Sequence, residues 1–335
     1  MIAKTLEWTV GFVLAWATLR DVFDTVVVPG RARGALRISH HLLFFAVPAW
    51  KRLFRKGVGV GFAPVVLLSS FLVWMLLLML AFGLMTHALG SWFSPPLQGF
   101  GEALYLAGSA LATIGLGNSQ AYGPACAVAV AAGFCGLAVM TMAVTYLLEV
   151  QSNVAVRDTG VLKITTTSGH PPSALGLLER YGAMGCRDEL RPVLRNGRDW
   201  CAAVLQSHAS HPSLIYFRSA AVGSGWPATL GALMDLALIM DLLLDEPGRG
   251  LAVLVREEAE RLARELTKLL GLEPAPTPVT AAEVDSLCSR LAAAGYSVRP
   301  DIDVAGFIAA RHQRVDCIEA LSQHLGTAGA PLVPP

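Results

Sequence analysis

Residues Thr113-Ile114-Gly115-Leu116-Gly117-Asn118 sit between two long, charge-free hydrophobic runs, and that setting decides how they are read. A Thr-x-Gly-x-Gly loop aims successive backbone carbonyls at one axis, where they can replace the water shell of a dehydrated potassium ion. Gly115 and Gly117 can take the positive φ that most other residues resist. The side chains of Ile114 and Leu116 are expected to point away and wedge the loop against its surroundings. In a soluble chain so short a glycine motif recurs by chance. Between two membrane spans it is specific.

Composition places the chain in that setting. Of its 335 residues 54% are hydrophobic and only 15% charged, and the mean hydropathy is +0.53, where a soluble chain carries about a quarter charged residues. Residues 1–156 hold nine Lys/Arg and five Asp/Glu, a balance of +4, while the remainder balances at −3. A membrane half and a water-soluble half follow from that split. No basic tail or aromatic-basic interleaving points to nucleic acid.

Two runs reach the roughly 20 apolar residues that a bilayer requires: about Phe62 to His87, and Ala125 to Leu148. A third, weaker run from Leu6 to Val28 carries Arg20, Asp21 and Asp24 in its last third. With no small-residue cleavage site after it, it reads as a retained membrane helix rather than a signal peptide. Arg20 is expected to snorkel and to pair with Asp24 one turn on. Arg31, Arg33, Arg37, Lys51, Arg52, Arg55 and Lys56 all fall between the first two spans, which puts that segment on the cytoplasmic side. Within it, Leu36 to Phe54 suits an amphipathic helix on the inner leaflet, the alternative being a short fourth span. Everything after about Arg157 is then expected in the cytoplasm.

Gly99 to Ala112 has the character of a pore helix. At about 21 Å it is too short to span, and its C-terminal end would turn partial negative charge toward a cation. The competing reading is a re-entrant hairpin that conducts nothing. Irregular backbone at membrane depth, as at Gly115-Leu116-Gly117, is tolerated only inside protein or against water.

Ala103-Leu104-Tyr105 through Ala112-Thr113-Ile114-Gly115-Leu116-Gly117-Asn118 resembles the pore region of the two-transmembrane, pore-loop potassium channel superfamily, whose common form is an ALYFS…TLTTIGFGD run. The likeness covers roughly residues 60–150. It implies Phe62–His87 as outer helix, Ala125–Val150 as inner helix, and potassium held at Thr113, Ile114, Gly115 and Leu116, with Gly117 completing the filter. Asn118 would lie at the outer mouth and Glu149 at the inner one, the alternative for Glu149 being a salt bridge to the basic segment around Lys51–Arg55. Gly133 and Gly136 fall where such inner helices bend to open; close helix packing is the other account of them. The chain departs from the common form at Leu116, where Tyr or Phe is usual, at Asn118 for Asp, and at Ala112 for Thr. None of these removes a carbonyl, and the two-pore branch of the superfamily accepts Leu at that place. Arg20 to Pro29 is similar to a DxFxTxxxP segment of bacterial potassium channel proteins. Gln206-Ser207-His208, Pro212–Ser219 and Trp226 resemble a run in the cytoplasmic helical domain of the same bacterial group.

One loop per chain implies a homotetramer, since four loops surround the ion. The expected fold is therefore an all-α membrane protein: an N-terminal membrane helix (1–30), a basic interfacial segment (31–57), a pore domain (58–156) and a helical cytoplasmic domain (157–328). It belongs in the cell membrane as a multi-pass protein among lipids, with no cofactor beyond the permeant ion. A weakly selective cation channel and a non-conducting membrane sensor or scaffold are the alternatives.

The cytoplasmic half reads as helices Ser173–Met184, Asp188–Ala209, Trp226–Leu244, Gly250–Leu270, Ala281–Ala294 and Val304–Leu325, with a short strand at Val161–Thr166. Thr280-Ala281-Ala282-Glu283 is a capping box, and the Pro-rich passage Glu273–Pro278 separates two helices. Glu257 and Arg261 suit an i,i+4 pair on a solvated face. Trp226–Leu244 is apolar enough to mimic a span, but Asp235 and Asp241 mark it as a core helix. No GxGxxG follows a strand, which excludes a nucleotide-binding regulator of Rossmann type. His208 and His211 lack a third nearby ligand for a metal. The six cysteines show no CxxC spacing and read as free thiols. GxSxG, HExxH and P-loop patterns are absent, so the chain does not read as an enzyme. The sequence names no ligand for the helical domain.

Overall fold

The computed structural model describes residues 2–28, 61–218 and 225–334, which divide into two units: 2–28 with 63–150, and 61–62 with 151–334. The expected amphipathic segment 36–54 lies outside the described residues.

The first unit is built from long apolar helices. Among the described residues it holds α1 (Ile2–Val26), α2 (Phe62–Ala88), the short α3 (Phe100–Leu111) and the part of α4 (Pro124–Ser168) up to Val150. α2 is 27 residues long, about 40 Å, and both α2 and α4 are long and apolar enough to cross a membrane. α1 is a 25-residue helix but falls short of that apolarity. Its small residues let it approach α2, where a Cβ at Gly11 would lie 2.6 Å from the Ala81 carbonyl oxygen. Ala15 and Val22 join Trp74, Leu78, Ala81, Phe82, Ala107, Leu111, Ala132 and Val139 in one buried cluster. The Arg20–Asp24 pair forms as expected, at 3.7 Å. Asp21 does not face solvent beside them: it is buried and accepts a 2.9 Å hydrogen bond from Trp74 Nε1. At the other end of the two helices His87 Nδ1 lies 3.0 Å from Glu7 Oε2.

α4 overturns one expectation. It runs 45 residues to Ser168, so the strand expected at Val161–Thr166 is helix. The β-branched run that suggested a strand is carried inside the helix. Thr159, Thr165 and Thr166 turn their hydroxyls back onto the carbonyls of Ala155, Val161 and Leu162, at 2.7–2.8 Å. The division between the two units falls within α4, after Val150.

The second unit is a helical bundle of α5 (Ala174–Ala183), α6 (Leu190–Ser210), α7 (Gly225–Leu242), α8 (Arg249–Leu270), α9 (Ala281–Ala293) and α10 (Val304–Leu325), each within two residues of its expected bounds. α7 is the axis. Every residue from Gly225 to Asp241 is buried, so this apolar helix is a domain core. Its two aspartates survive there because each meets arginine: Asp235 takes two bonds from Arg311 of α10 at 2.8 and 3.0 Å, and Asp241 pairs with Arg249 and Arg256 of α8. On α8 the i,i+4 pair that forms is Glu260 with Arg264, and Arg314 of α10 joins it at 3.0 Å. The Thr280–Glu283 capping box is present in both directions, and residues 272–280 between α8 and α9 carry no helix. The cysteines are free, and burial pushes the Cys201 thiol well above its ordinary value.

Candidate pore loop and its supports

α3 is 12 residues, about 18 Å, and ends at Ala112, where the chain leaves the helix for the Thr113–Asn118 loop. One residue of α3 organises that loop. The Ser109 carbonyl accepts from the Ile114 amide at 2.9 Å and from the Gly115 amide at 3.3 Å, and its hydroxyl accepts from the Leu116 amide at 2.6 Å. Ser109 itself is buried, while the loop residues that donate to it are exposed. In a planar trans peptide, N–H and the preceding C=O point in opposite directions. Three amides gathered on the α3 side therefore turn the carbonyls of Thr113, Ile114 and Gly115 toward the other side. The loop presents a row of acceptors.

Backbone conformation agrees only in part with the sequence reading. Gly115 is at φ +73°, but the second positive φ belongs to Thr113 at +58°, and Gly117 is not among the positive-φ residues. A β-branched residue there is strained, and such strain gathers at functional loops. A Cβ at Gly117 would lie 2.2 Å from Leu106 Cδ2, the end of a side chain that can turn aside. Ile114 and Leu116 do not wedge into their own chain: they are 61% and 60% exposed.

After the loop the chain is strapped back. β2 (Gln120–Ala121) pairs antiparallel with β1 (Phe93–Ser94), Phe93 opposite Ala121 and Ser94 opposite Gln120. Tyr122 packs tilted against Trp92, with ring centres 5.6 Å apart, and donates its hydroxyl to the Ser91 carbonyl at 2.8 Å. Glu102, in the first turn of α3, accepts from the Ser119 hydroxyl at 3.0 Å and from the Gln98 amide at 2.9 Å. Glu102 thus ties the residue after Asn118 to the start of α3. The sequence carried a signal for it, because Glu102 is the one formal charge between Lys56 and Glu149. Nothing in the residue pattern marked Ser109.

On α4, Gly136 is held by packing: a Cβ there would meet the Leu111 carbonyl oxygen at 1.9 Å, whereas at Gly133 the nearest atom is Ala110 O at an ordinary 3.6 Å. Val130, Phe134, Leu137, Met140, Val144 and Leu148 repeat every three or four residues along one face and are each about half exposed or more. Glu149 is exposed at the end of that stripe. His208 and His211 are buried, and no group of His, Cys, Asp and Glu among the described residues is arranged to hold a metal.

No curated protein and no solved structure matches this chain. Residues 61–153 match the family model described as ion channel. The match takes in α2, α3, the β1–β2 pair, the Thr113–Asn118 loop and the first two-thirds of α4, so this mainly helical part of the chain is similar to an ion channel domain.

Proposed function

We propose that the protein is a potassium-selective channel of the cell membrane, conducting passively through a pore made by four copies of the chain. The observation that carries this reading is the set of three amides held by Ser109, which leaves the carbonyls of Thr113, Ile114 and Gly115 on the opposite side, free to replace an ion's water. Leu116 and the Thr113 hydroxyl complete the potassium sites. Asn118 stands at the outer mouth and Glu149 at the inner mouth. Tetramer formation rests on two further features. One chain supplies one loop, and the apolar side chains of Ile114, Leu116 and the α4 stripe are left for neighbouring copies to cover. The basic segment between the first two spans orients residues after about 157 toward the cytoplasm.

The test is the reversal potential of the purified protein in liposomes under opposed potassium and sodium gradients. A reversal near the potassium equilibrium potential is expected. A reversal near zero with current assigns the weakly selective pore that Leu116 and Asn118 would permit, and absence of current assigns a sensor or scaffold.

A further inference from the structure

Beyond residue 150, α4 is fastened at Arg157, among other contacts. Arg157, the first charge on the helix after Glu149, has a fully buried side chain. Its Nη1 donates to the Leu214 carbonyl at 3.1 Å and its Nη2 to the Phe217 carbonyl at 2.8 Å, around the turn Pro212–Tyr216. Nε and Nη2 also reach Asp158 Oδ1, at 3.1 and 3.0 Å. From α6, Trp200 Nε1 donates to the Arg157 carbonyl at 2.9 Å. One turn on, Gly160 makes room for the same indole, since a Cβ there would lie 2.0 Å from it. The turn and α6 therefore hold this stretch of α4 together.

Two turns beyond Trp200, the same helix buries a histidine. His208 of α6 is 1% exposed, its Nδ1 lies 2.9 Å from the Val204 carbonyl, and its Nε2 is buried with no hydrogen-bond partner among the described residues. The groups around it come from four places: Arg157 from α4 with Asp158 as that arginine's counter-ion, His211 from the start of the turn, neutral Trp226 from α7 with ring centres 5.5 Å away, and Ser207 beside it at 3.1 Å. A buried group whose hydrogen-bonding nitrogen is left empty is costly, and such sites are the weak points of a packed domain.

We infer that Arg157, His208 and His211 form a proton-sensitive latch, which holds α4 to the helical domain while His208 is neutral and releases it when His208 takes up a proton. A proton on His208 would add a second buried cation within the field of Arg157, whose counter-ion is Asp158. Burial first, and then the Arg157 charge and His211, hold the imidazole down to about 3 against the favourable bond to the Val204 carbonyl. In a released conformation the imidazole meets water and returns to its ordinary value of about 6.5. The sign follows from that order. The latched form binds fewer protons, so it is fully favoured above about pH 6.5. Below that, the released form gains up to about tenfold for each pH unit. Only the consequence for the pore rests on the channel reading: the helix released is the one that carries Gly133 and Gly136.

The experiment follows amide hydrogen exchange of the full-length protein in liposomes at about pH 7.5 and about pH 5.5, corrected for intrinsic rates. Peptides covering 151–168 and 211–218 are expected to lose protection by about threefold or more at the lower pH, and His208→Gln to keep it at both. Equal protection of the wild type at both pH values overturns the latch, as does an acid response that survives in His208→Gln. Should that variant not fold, exchange of the imidazole C2 proton in the wild type reads the His208 titration itself, and a midpoint near 6.5 in the protected form overturns the latch. Potassium flux is measured on the same liposomes. Selective flux with no acid-dependent exchange removes the latch and leaves the pore, whereas acid-dependent exchange without flux removes the pore and leaves the latch.

Discussion

Gly136 of α4 lies against the last turn of α3 so closely that a Cβ would stand 1.9 Å from the Leu111 carbonyl oxygen. That oxygen is backbone at the end of a helix and cannot give way cheaply. Gly136→Ala is therefore expected to cost about 1–3 kcal/mol through displaced backbone. Gly133, three residues earlier, has ordinary room. There Ala should be tolerated or slightly stabilising in the folded helix, by up to about 1 kcal/mol. Thermal melts of the two variants in detergent check this directly. Equal destabilisation would mean that the packing at Gly136 is not what its glycine serves. A change in open probability at Gly133→Ala without a change in melting would mark that glycine as the bend.

The filter assignment is tested at Gly115. Its φ of +73° is a conformation that an L side chain resists, although open space surrounds it. Alanine there should cost about 1 kcal/mol locally and turn the flanking carbonyls out of line. Loss of potassium over sodium selectivity is expected in the reversal potential. Selectivity equal to wild type would sink the assignment of Thr113–Gly117 as the filter.

Much of this was legible in the sequence because apolar length and glycine spacing are local properties. α2 and the bundle helices α5 to α10 fall within two residues of their expected ends. The two aspartates of α7 correctly separated a core helix from a span. What escaped depends on distant parts of the chain or on a competing local preference. The Thr165–Thr166 pair reads as strand by its branching, yet each hydroxyl can bond its own helix, and the α4 helix continues through it to Ser168. Asp21 looked like a third charge at a helix end, but its partner Trp74 is 53 residues away. Ser109 is an ordinary small residue in α3, and only the turn at Ala112 brings three loop amides onto it.

Ser109 gives a graded test of the same loop. Ser109→Ala removes the acceptor for the Leu116 amide but leaves the carbonyl that holds Ile114 and Gly115. One such hydrogen bond is worth about 0.5–1.5 kcal/mol, and an amide left unsatisfied somewhat more. Selectivity should weaken by up to about tenfold while some remains, and unitary current should become less steady. Ion competition with rubidium and sodium in a flux assay measures it. Unchanged competition would mean that the Leu116 amide finds another partner and that Ser109 does not position the carbonyls.

The helical bundle depends on Asp235. This carboxylate is fully buried in α7 and bonded twice by Arg311 of α10, itself almost fully buried. Arg311→Leu leaves an uncompensated carboxylate in the core and is expected to cost about 3–5 kcal/mol. The double change Asp235→Leu with Arg311→Leu should recover most of that loss, because the penalty belongs to the unpaired charge. Denaturation of the full-length variants, followed by far-ultraviolet circular dichroism, gives the comparison. If the single and double variants are equally unstable, shape rather than charge pairing governs this contact.

Assembly follows from one loop per chain. Native mass spectrometry should give four copies, and charged substitutions on the exposed α4 stripe, such as Phe134→Asp, should break the assembly while the bundle still folds. A stable dimer in the wild type would refute the argument, since two loops cannot enclose an ion.

The inner mouth is tested at Glu149, exposed at the end of the α4 stripe. Four copies would make a ring of carboxylates that raises the local concentration of cations. Glu149→Gln keeps the shape and removes the charge. Outward single-channel conductance is then expected to fall at low salt, and the loss should shrink as salt rises, because the Debye length drops from about 30 Å at 0.01 M to about 3 Å at 1 M. An ion pair between Glu149 and the basic segment at Lys51–Arg55 would behave otherwise. Its removal would change open probability or tetramer stability and leave conductance where it was. The salt dependence of the conductance therefore separates a charge that ions see from one that the protein keeps to itself.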